Sequence, residues 1–288
     1  MRYTIIGFGK LGSAIAKKLI EKGEHFTIVS KHLSQKLTHQ NLFNQNVEIF
    51  NSVEKLEEPT DVTFITTNDS MIPKVAKDLV ARFGNKIKNK TFIHCCGIYS
   101  DEILYDIEKC GGFTASAHPL QTFFEYTPDI FEDIFWIVQS NHFEKIKLIV
   151  EQIGGTALEV HFDEKTRAIY HASAVVASNF LNSLLLFSKQ LINLTNLEPN
   201  ILIPLINRTI QNNLLKFEEI GFTPKTGPIV RGDFGTILHH LEGLQQHKEL
   251  KEVYTILCLA MSKLALINKD ISEEIFATFE KILNKTFP

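Results

Sequence analysis

The chain has 288 residues, of which 44% are hydrophobic and 22% are charged, and its formal net charge is −3. That length suits one large or two ordinary domains, and the composition excludes a disordered or fibrous protein. A chain so close to neutral lacks the basic surface that nucleic-acid binding requires, so we expect no nucleic-acid partner.

Three features bear on the compartment. Met1 leads directly into a strand-like run, so no signal peptide is predicted. The four cysteines show no paired metal-ligand spacing, and we predict buried thiols in a reducing compartment and no metal site. The longest apolar stretch, 172–192, is interrupted by polar residues. We interpret it as a long buried helix of a cytoplasmic protein rather than a membrane span.

The first half of the chain alternates short β-branched or aromatic runs with helical patterns. The predicted strands are 3–6, 26–30, 47–50, 62–66, 91–94, 114–117, 135–139 and 157–160. The predicted helices are 11–22, 73–83, 101–109 and 143–153. Such alternation predicts crossover connections, and hence an α/β fold with a doubly wound, mostly parallel sheet covered by helices on both faces.

After about residue 163 the strand pattern stops, and apolar residues recur at spacings of three and four. The predicted helices are 164–194, 199–220, 232–245, 248–268 and 272–283. We therefore predict two domains with a cleft between them, an α/β domain over 1–160 and an all-helical domain over 161–288.

The first strand leads into the helix through a glycine-rich loop that matches G-x-G-x-x-G: Gly7, Phe8, Gly9, Lys10, Leu11 and Gly12. In this pattern Gly7 makes the sharp turn, Gly9 leaves room for a pyrophosphate, and Gly12 lets the helix pack closely on the strand. The helix then directs free amides at the phosphates. The loop predicts a dinucleotide-binding Rossmann domain, the alternative being a purely structural turn.

The end of the second strand indicates which dinucleotide is bound. NAD-binding proteins place an acidic residue there, which bonds to the ribose 2′-hydroxyl. This chain has Ser30, Lys31 and His32 instead. A carboxylate would repel a 2′-phosphate, whereas these side chains donate hydrogen bonds to it. We therefore predict NADP as the cofactor, with Ser30 and Lys31 near the 2′-phosphate.

Polar residues also follow later strands, and ligands of open parallel sheets bind beyond the carboxyl ends of the strands. Thr66, Thr67 and Asn68 follow the fourth strand and are predicted to contact the cofactor. Asp69 is interpreted as the N-cap of the next helix. His118 follows the sixth strand and is the candidate general acid/base, the alternative being a structural histidine.

The helical half adds further candidates. His171, Ser178 and Asn182 share one face of the long helix, where they would line the cleft or bond to other helices or to a second subunit. Arg231 follows a Gly-Pro turn and precedes Asp233. It would clamp an anionic substrate group, or pair with Asp233 to fix the turn.

Four segments together resemble one family: residues 7–12, 117–123, 170–180 and 227–233. The chain looks like the candidate NADP oxidoreductases that join a Rossmann-like domain to a helical C-terminal domain of unknown function. That family is similar to the 6-phosphogluconate dehydrogenase-like superfamily, including pyrroline-5-carboxylate reductase, ketopantoate reductase and prephenate dehydrogenase. The resemblance implies a helical domain that builds a dimer, and it supports His118, because prephenate dehydrogenase has a similar His-Pro segment facing its substrate.

One motif of the superfamily is missing. Its β-hydroxyacid branch carries a catalytic lysine four residues before an asparagine on the long helix, and here Ser178 stands four residues before Asn182.

The sequence thus predicts an NADP-dependent oxidoreductase acting on a small carbonyl, hydroxy or imine substrate, with a homodimer formed through the helical domain. His118 would be the acid/base, His171 and Asn182 would orient the substrate, and Arg231 would hold an anionic group. One alternative is a non-catalytic NADP-binding sensor or regulatory module. Another is an enzyme that uses a second cofactor, such as a deazaflavin.

Overall fold

The computed structural model describes residues 1–31, 47–124, 127–215 and 226–285. The chain forms two compact units, Met1–Asn179 and Phe180–Pro288. The predicted site residue His32 and the end of the predicted helix 199–220 lie outside the described residues.

The first unit is built on one eight-stranded sheet. Its strands are β1 Arg2–Ile6, β2 His25–Val29, β3 Val47–Phe50, β4 Val62–Ile65, β5 Thr91–His94, β6 Phe113–Pro119, β7 Phe135–Gln139 and β8 Thr156–Glu159. Their order is β3-β2-β1-β4-β5-β6-β7-β8, and every pair is parallel except β6 with β7. This order confirms the predicted α/β fold, and it places the ends of β1, β4, β5 and β6 side by side.

Helices cover both faces of the sheet, and most of them pack through apolar residues that recur along one side of the helix. The helices of this unit are α1 Lys10–Glu21, α2 Ile72–Phe83, α3 Tyr105–Lys109, α4 Phe143–Gln152 and α5 Glu164–Val175. On one face α1 buries Ile15 and Leu19, and on the other α2 buries Val75 and Leu79. Between the two layers the central strands are buried along nearly their whole length and are mostly apolar, as expected of a sheet that is covered on both sides.

The second unit is helical. Its helices are α6 Leu181–Asn193, α7 Ile203–Leu214, α8 Phe234–Gly243, α9 Lys248–Ile267 and α10 Glu273–Asn284. Ile237 and Leu241 of α8 pack with Phe279 and Leu283 of α10 in a small core. Asp233 begins α8 by accepting a hydrogen bond from the Thr236 amide at 3.0 Å.

The division between the units falls later than the predicted boundary near residue 160. Helix α5 belongs to the sheet-containing unit. Its Arg167 and Tyr170 side chains make hydrogen bonds to residues of β6 and β7. The first turns of the long helix are therefore anchored on the sheet.

The long helix differs from its prediction in two ways. Residues Val176–Phe180 form a π-turn between α5 and α6, which changes the angular relation of residues on its two sides. The predicted burial is wrong, because only 6% of the most apolar window of the helix Glu164–Asn193 is buried. Within the described ranges it is the one helix whose length and composition would allow a membrane crossing.

The predicted cap of α2 is also wrong. Asp69 opens a short 3-10 turn, Asp69–Met71, which precedes α2. Met71 occupies the cap position of α2, where no side chain bonds to the helix amides.

Candidate active site at the carboxyl edge of the sheet

The glycine loop is shaped by close contacts between β1, α1 and β4. Gly7 has a φ of 99°, and a Cβ atom there would lie 2.7 Å from the backbone of Thr66 and Thr67. A Cβ on Gly12 would collide with the carbonyl oxygen of Gly7. Gly9 differs, because a Cβ there would meet nothing within 4 Å. Gly7 and Gly12 are thus required by the fold, whereas Gly9 borders open space.

That open space belongs to a cavity of about 440 Å³ at the ends of β1, β2 and β4. The predicted cofactor residues on its wall are Gly7, Phe8, Gly9, Ser30, Lys31, Thr66, Thr67 and Asn68. Thr67 Oγ1 is buried and has no hydrogen-bond partner in the described structure. An unsatisfied buried hydroxyl beside a glycine cradle suits a polar ligand, so this wall fits a dinucleotide.

The other predicted cofactor residues lie off the cavity wall. Gly12 packs against the turn, and Leu11 packs against the core. The Lys10 ammonium lies 4.9 Å from the ring centroid of Phe124, and both residues line a neighbouring cavity of about 370 Å³.

Charged side chains line the cavity near the end of β2, and they include residues that the sequence analysis missed. Lys31 lines the cavity together with Lys74 of α2 and Glu54, which follows β3. A hydrogen bond from Ser52, followed by the charges of Lys74 and Lys31, lowers the pKa of the Glu54 carboxyl. This part of the cavity therefore combines two cations, Lys31 and Lys74, with two anions, Glu54 and Asp78, and the Lys74 ammonium is paired with the Asp78 carboxylate at 2.6 Å.

The side-chain rings of His118, Tyr170 and His171 lie close together where β6 ends. Strand β6 extends to Pro119, so His118 lies on the strand rather than in the predicted loop. His118 Nδ1 is 2.6 Å from the Tyr170 hydroxyl oxygen of α5, and the His171 ring centroid is 6.0 Å from that of His118. A Cβ on Gly97 would come within 2.5 Å of His171 Cδ2 and 3.1 Å of His118 Cε1, so the turn after β5 holds both rings from the other side.

The environment keeps both members of the His118–Tyr170 pair uncharged. Burial, followed by the nearby His171 and Arg167, lowers the pKa of His118 to about 4. Burial raises the pKa of Tyr170 to about 12, and the charge of Arg167 opposes that rise. Near neutral pH the phenol therefore carries a proton, and the imidazole is a neutral hydrogen-bonding group.

Arg167 is another side chain that the sequence analysis missed. It is the one buried residue of α5, with 2% of its surface exposed. Its Nη1 donates to Ser116 Oγ at 3.2 Å and its Nη2 to Gln139 Oε1 at 2.7 Å. The available signal was its position three residues before Tyr170, which places both on one helix face.

His94 has a structural role. It is fully buried at the end of β5, where Nε2 lies 2.9 Å from the Ser100 carbonyl oxygen and Nδ1 accepts from the Cys96 amide at 3.3 Å. Both ring nitrogens are used, and burial lowers the pKa of the ring to about 4. His94 therefore holds the turn that supports His118 and His171.

Two predicted site residues lie in the second unit. Asn182 is exposed on α6, beyond the π-turn. Arg231 is exposed and lies 3.9 Å from Asp233 Oδ2, which is the structural alternative for this arginine. Within the described residues, no group of three or more His, Cys, Asp or Glu side chains is placed to hold a metal ion.

The two buried histidines predict how stability depends on pH. Each has a pKa near 6.5 when unfolded and about 4 in the fold, so the unfolded chain binds more protons between these values. The free energy of unfolding is expected to fall as pH drops through this window, by roughly 3 kcal/mol per histidine. Urea unfolding at a series of pH values measures it, and His118→Gln should flatten the slope. Equal slopes for the two proteins would contradict this assignment.

Two family models match parts of the chain. Residues 2–95 match the family described as NADP oxidoreductase, coenzyme F420-dependent. Residues 137–261 match a domain of unknown function, DUF2520. No curated protein matches the chain.

Solved structures share the fold over nearly the whole chain. A candidate NADP oxidoreductase from Bacteroides fragilis is 21% identical, with a TM-score of 0.74, over 91% of this chain and 98% of that one. A reductive aminase from Aspergillus terreus, solved with NADPH and ethyl-5-oxohexanoate, is 13% identical, with a TM-score of 0.59, over 99% and 92% of the two chains. An imine reductase from Myxococcus stipitatus, solved with NADP+, is 14% identical, with a TM-score of 0.57, over 97% and 99%.

The family match and the cofactors of these relatives confirm the prediction of an NADP-type site. The chain thus carries an N-terminal segment similar to the NADP oxidoreductase, coenzyme F420-dependent, family, followed by a segment similar to the domain of unknown function DUF2520.

Proposed function

We propose that this protein is an NADP(H)-dependent reductase of a small carbonyl or imine compound, with Tyr170 as the proton donor. The observation that carries the proposal is the 2.6 Å contact between the Tyr170 hydroxyl and His118 Nδ1. This pair lies at the sheet edge that also carries the glycine loop, two strands away from β4. Open sheets bind a dinucleotide at this edge, so a substrate would react beside the pair.

The cofactor would lie along the cavity of the first unit. Gly9 leaves space at the loop, the N-terminus of α1 offers free amides to the pyrophosphate, and Thr67 Oγ1 offers an unsatisfied hydrogen-bonding group. Lys31 would face the 2′-phosphate at the far end, whereas the nearby Lys74 is already paired with Asp78 at 2.6 Å. The bound cofactor supplies hydride to a carbonyl or imine carbon, or accepts it in the reverse direction.

The protein itself would supply the proton that accompanies hydride transfer. A neutral His118 with its proton on Nδ1 donates to the Tyr170 oxygen, which leaves the phenol O–H free for the substrate oxygen or nitrogen. When Tyr170 gives up that proton, the Nδ1–H group remains to bond to the phenolate, which later regains a proton from water. This assigns the proton to Tyr170 rather than to His118, because with a pKa of about 4 almost none of the His118 imidazole is in its protonated, cationic form at neutral pH.

A screen of small ketones, with and without amines, tests this function through the consumption of NADPH. Turnover by the wild-type protein and its loss in Tyr170→Phe is the expected result. If NADPH binds but neither ketones nor imines are reduced, the protein is better explained as a non-catalytic NADP-binding module.

The charges at the ribose end predict how cofactor preference changes. Lys31→Gln removes a cation and should weaken NADPH binding roughly 10-fold, while NADH binding stays within about 2-fold. Glu54→Gln removes an anion and should strengthen NADPH binding. Calorimetric titration of each variant with both nucleotides measures the effect. Equal losses for NADPH and NADH in Lys31→Gln would place the 2′-phosphate elsewhere.

We also propose that the protein is a homodimer formed through its helical unit. Phe180 and Leu184 lie one turn apart on the long helix and are 57% and 46% exposed. Ile203 and Leu205 of α7 are 54% and 63% exposed. Large apolar side chains left open along two helices are typical of a surface that a second copy covers.

Sedimentation measures this association. The wild-type protein should sediment at about twice the chain mass of 32.8 kDa. Leu184→Glu should shift it toward the monomer, because a carboxylate would be desolvated in the interface. Leu148→Glu is the matched control, since Leu148 is 66% exposed on α4. A wild-type monomer would rule out the dimer.

A further inference from the structure

The contact between α5 and the sheet is chemically unusual. The side of α5 that faces the sheet presents Arg167, Tyr170 and His171, and its one buried residue is the arginine. A helix normally docks through apolar side chains, because burying a charge requires desolvation that hydrogen bonds only partly offset. A guanidinium at this position therefore calls for a role beyond packing.

Arg167 is held but its charge is not neutralised. Two of its nitrogens donate to the neutral groups Ser116 Oγ and Gln139 Oε1, and its Nε is buried without a partner. None of the ion pairs within the described residues includes Arg167. Asp101 exerts an electrostatic influence on Arg167 without forming an ion pair at salt-bridge distance.

Arg167 is linked to the His118–Tyr170 pair through both α5 and β6. It precedes Tyr170 by three residues on α5, and its partner Ser116 precedes His118 by two residues on β6, so that both lie on one face of that strand. A displacement of the arginine would therefore move both members of the pair relative to each other. Its positive charge also lies close enough to favour the ionised form of Tyr170 and to disfavour that of His118.

We propose that Arg167 is the positioning residue of the proton donor: it anchors Tyr170 against His118, and its buried charge balances the phenolate that forms when Tyr170 protonates the substrate. The inference rests on the proposed function. The proton moves from Tyr170 Oη to the substrate oxygen or nitrogen, the phenolate stays beside the guanidinium, and water restores the proton. No carboxylate is needed near Arg167, because the compensating negative charge arises during the reaction.

The first test uses the protein without substrate or cofactor. The imidazole of His118 is titrated by nuclear magnetic resonance in the wild type, Arg167→Gln and Arg167→Lys. The other ionisable groups near this ring are His94, His171, Asp69 and Tyr170, and they are the same in all three proteins. Loss of the charge should raise the pKa of His118 by roughly one unit in Arg167→Gln, while Arg167→Lys keeps it near the wild-type value. An unchanged pKa in Arg167→Gln would overturn the proposed electrostatic role.

The second test separates positioning from general stability. Arg167→Gln should lower kcat roughly 10- to 100-fold when Tyr170 is present, and should have no further effect in the Tyr170→Phe background. Arg167→Lys should recover part of kcat, because it retains the charge but not the planar fork that reaches both partners. Equal losses in both backgrounds would show that Arg167 acts only through the fold. If the wild type has no turnover, the proposed function fails, and the titration still decides whether Arg167 tunes the pair.

Discussion

Tyr170→Phe is expected to lower kcat for carbonyl or imine reduction by roughly 100- to 10,000-fold, the range that general acid catalysis contributes. The change removes one hydroxyl and leaves the ring that packs against Phe162 at a centroid distance of 5.6 Å. Because the glycine loop and the cavity beside it are untouched, the affinity for NADPH should stay within about 2-fold of the wild type. Steady-state kinetics and calorimetric titration measure the two quantities separately.

The matched control is Tyr105→Phe, since Tyr105 is 54% exposed on α3 and away from the pair. It should leave kcat and NADPH affinity unchanged. A wild-type kcat in Tyr170→Phe would rule out the phenol as the proton donor. A loss of NADPH binding in the same variant would show instead that Tyr170 supports the cofactor site.

Gly9→Val is expected to weaken NADPH binding by at least roughly 100-fold, or about 2.7 kcal/mol, while leaving the fold intact. Nothing in the described structure lies within 4 Å of a Cβ atom at Gly9, so the free protein can accommodate the side chain. The same space is where a pyrophosphate would approach the backbone, and the valine methyl groups would occupy it. Thermal unfolding and calorimetry give the two measurements.

Gly12→Ala provides the contrast within the same loop. Its Cβ would collide with the Gly7 carbonyl oxygen and approach Thr66 Oγ1 at 2.7 Å, so this variant should lose stability as well as binding. Wild-type NADPH affinity in folded Gly9→Val would contradict the placement of the cofactor.

The features that depend on local pattern were predictable from the sequence. Short β-branched runs such as 62–66 and 91–94 fell on β4 and β5, because a strand that is buried on both faces favours β-branched and aromatic residues at most positions. The glycine loop was predictable for a related reason, since Gly7 and Gly12 meet backbone atoms that no side chain could approach.

The features that depend on contacts between distant parts of the chain were not predictable from the sequence. His118 and Tyr170 are separated by 52 positions in the chain, and nothing in either segment encodes a 2.6 Å contact. Arg167 was overlooked because an arginine on an otherwise polar helix turn is typically exposed. Asn182 was grouped with His171 by a spacing of 3.6 residues per turn, which the π-turn Val176–Phe180 interrupts.

Apolar composition misled the prediction for the long helix. The stretch 172–192 was expected to be buried, and Phe180 and Leu184 are instead largely exposed. An apolar composition indicates that a segment is stabilised by burial. It does not distinguish burial within one chain from burial against a second copy.

In the proposed complex the first unit binds NADP(H) with the 2′-phosphate facing Lys31. Calorimetric titration of the wild-type protein with NADPH and, separately, with NADH tests it most directly. We expect tight NADPH binding and NADH binding weaker by roughly 10-fold or more, because the Lys31 ammonium at the end of β2 would pair with the additional phosphate. Binding of neither nucleotide would contradict the cofactor site and, with it, the proposed reductase.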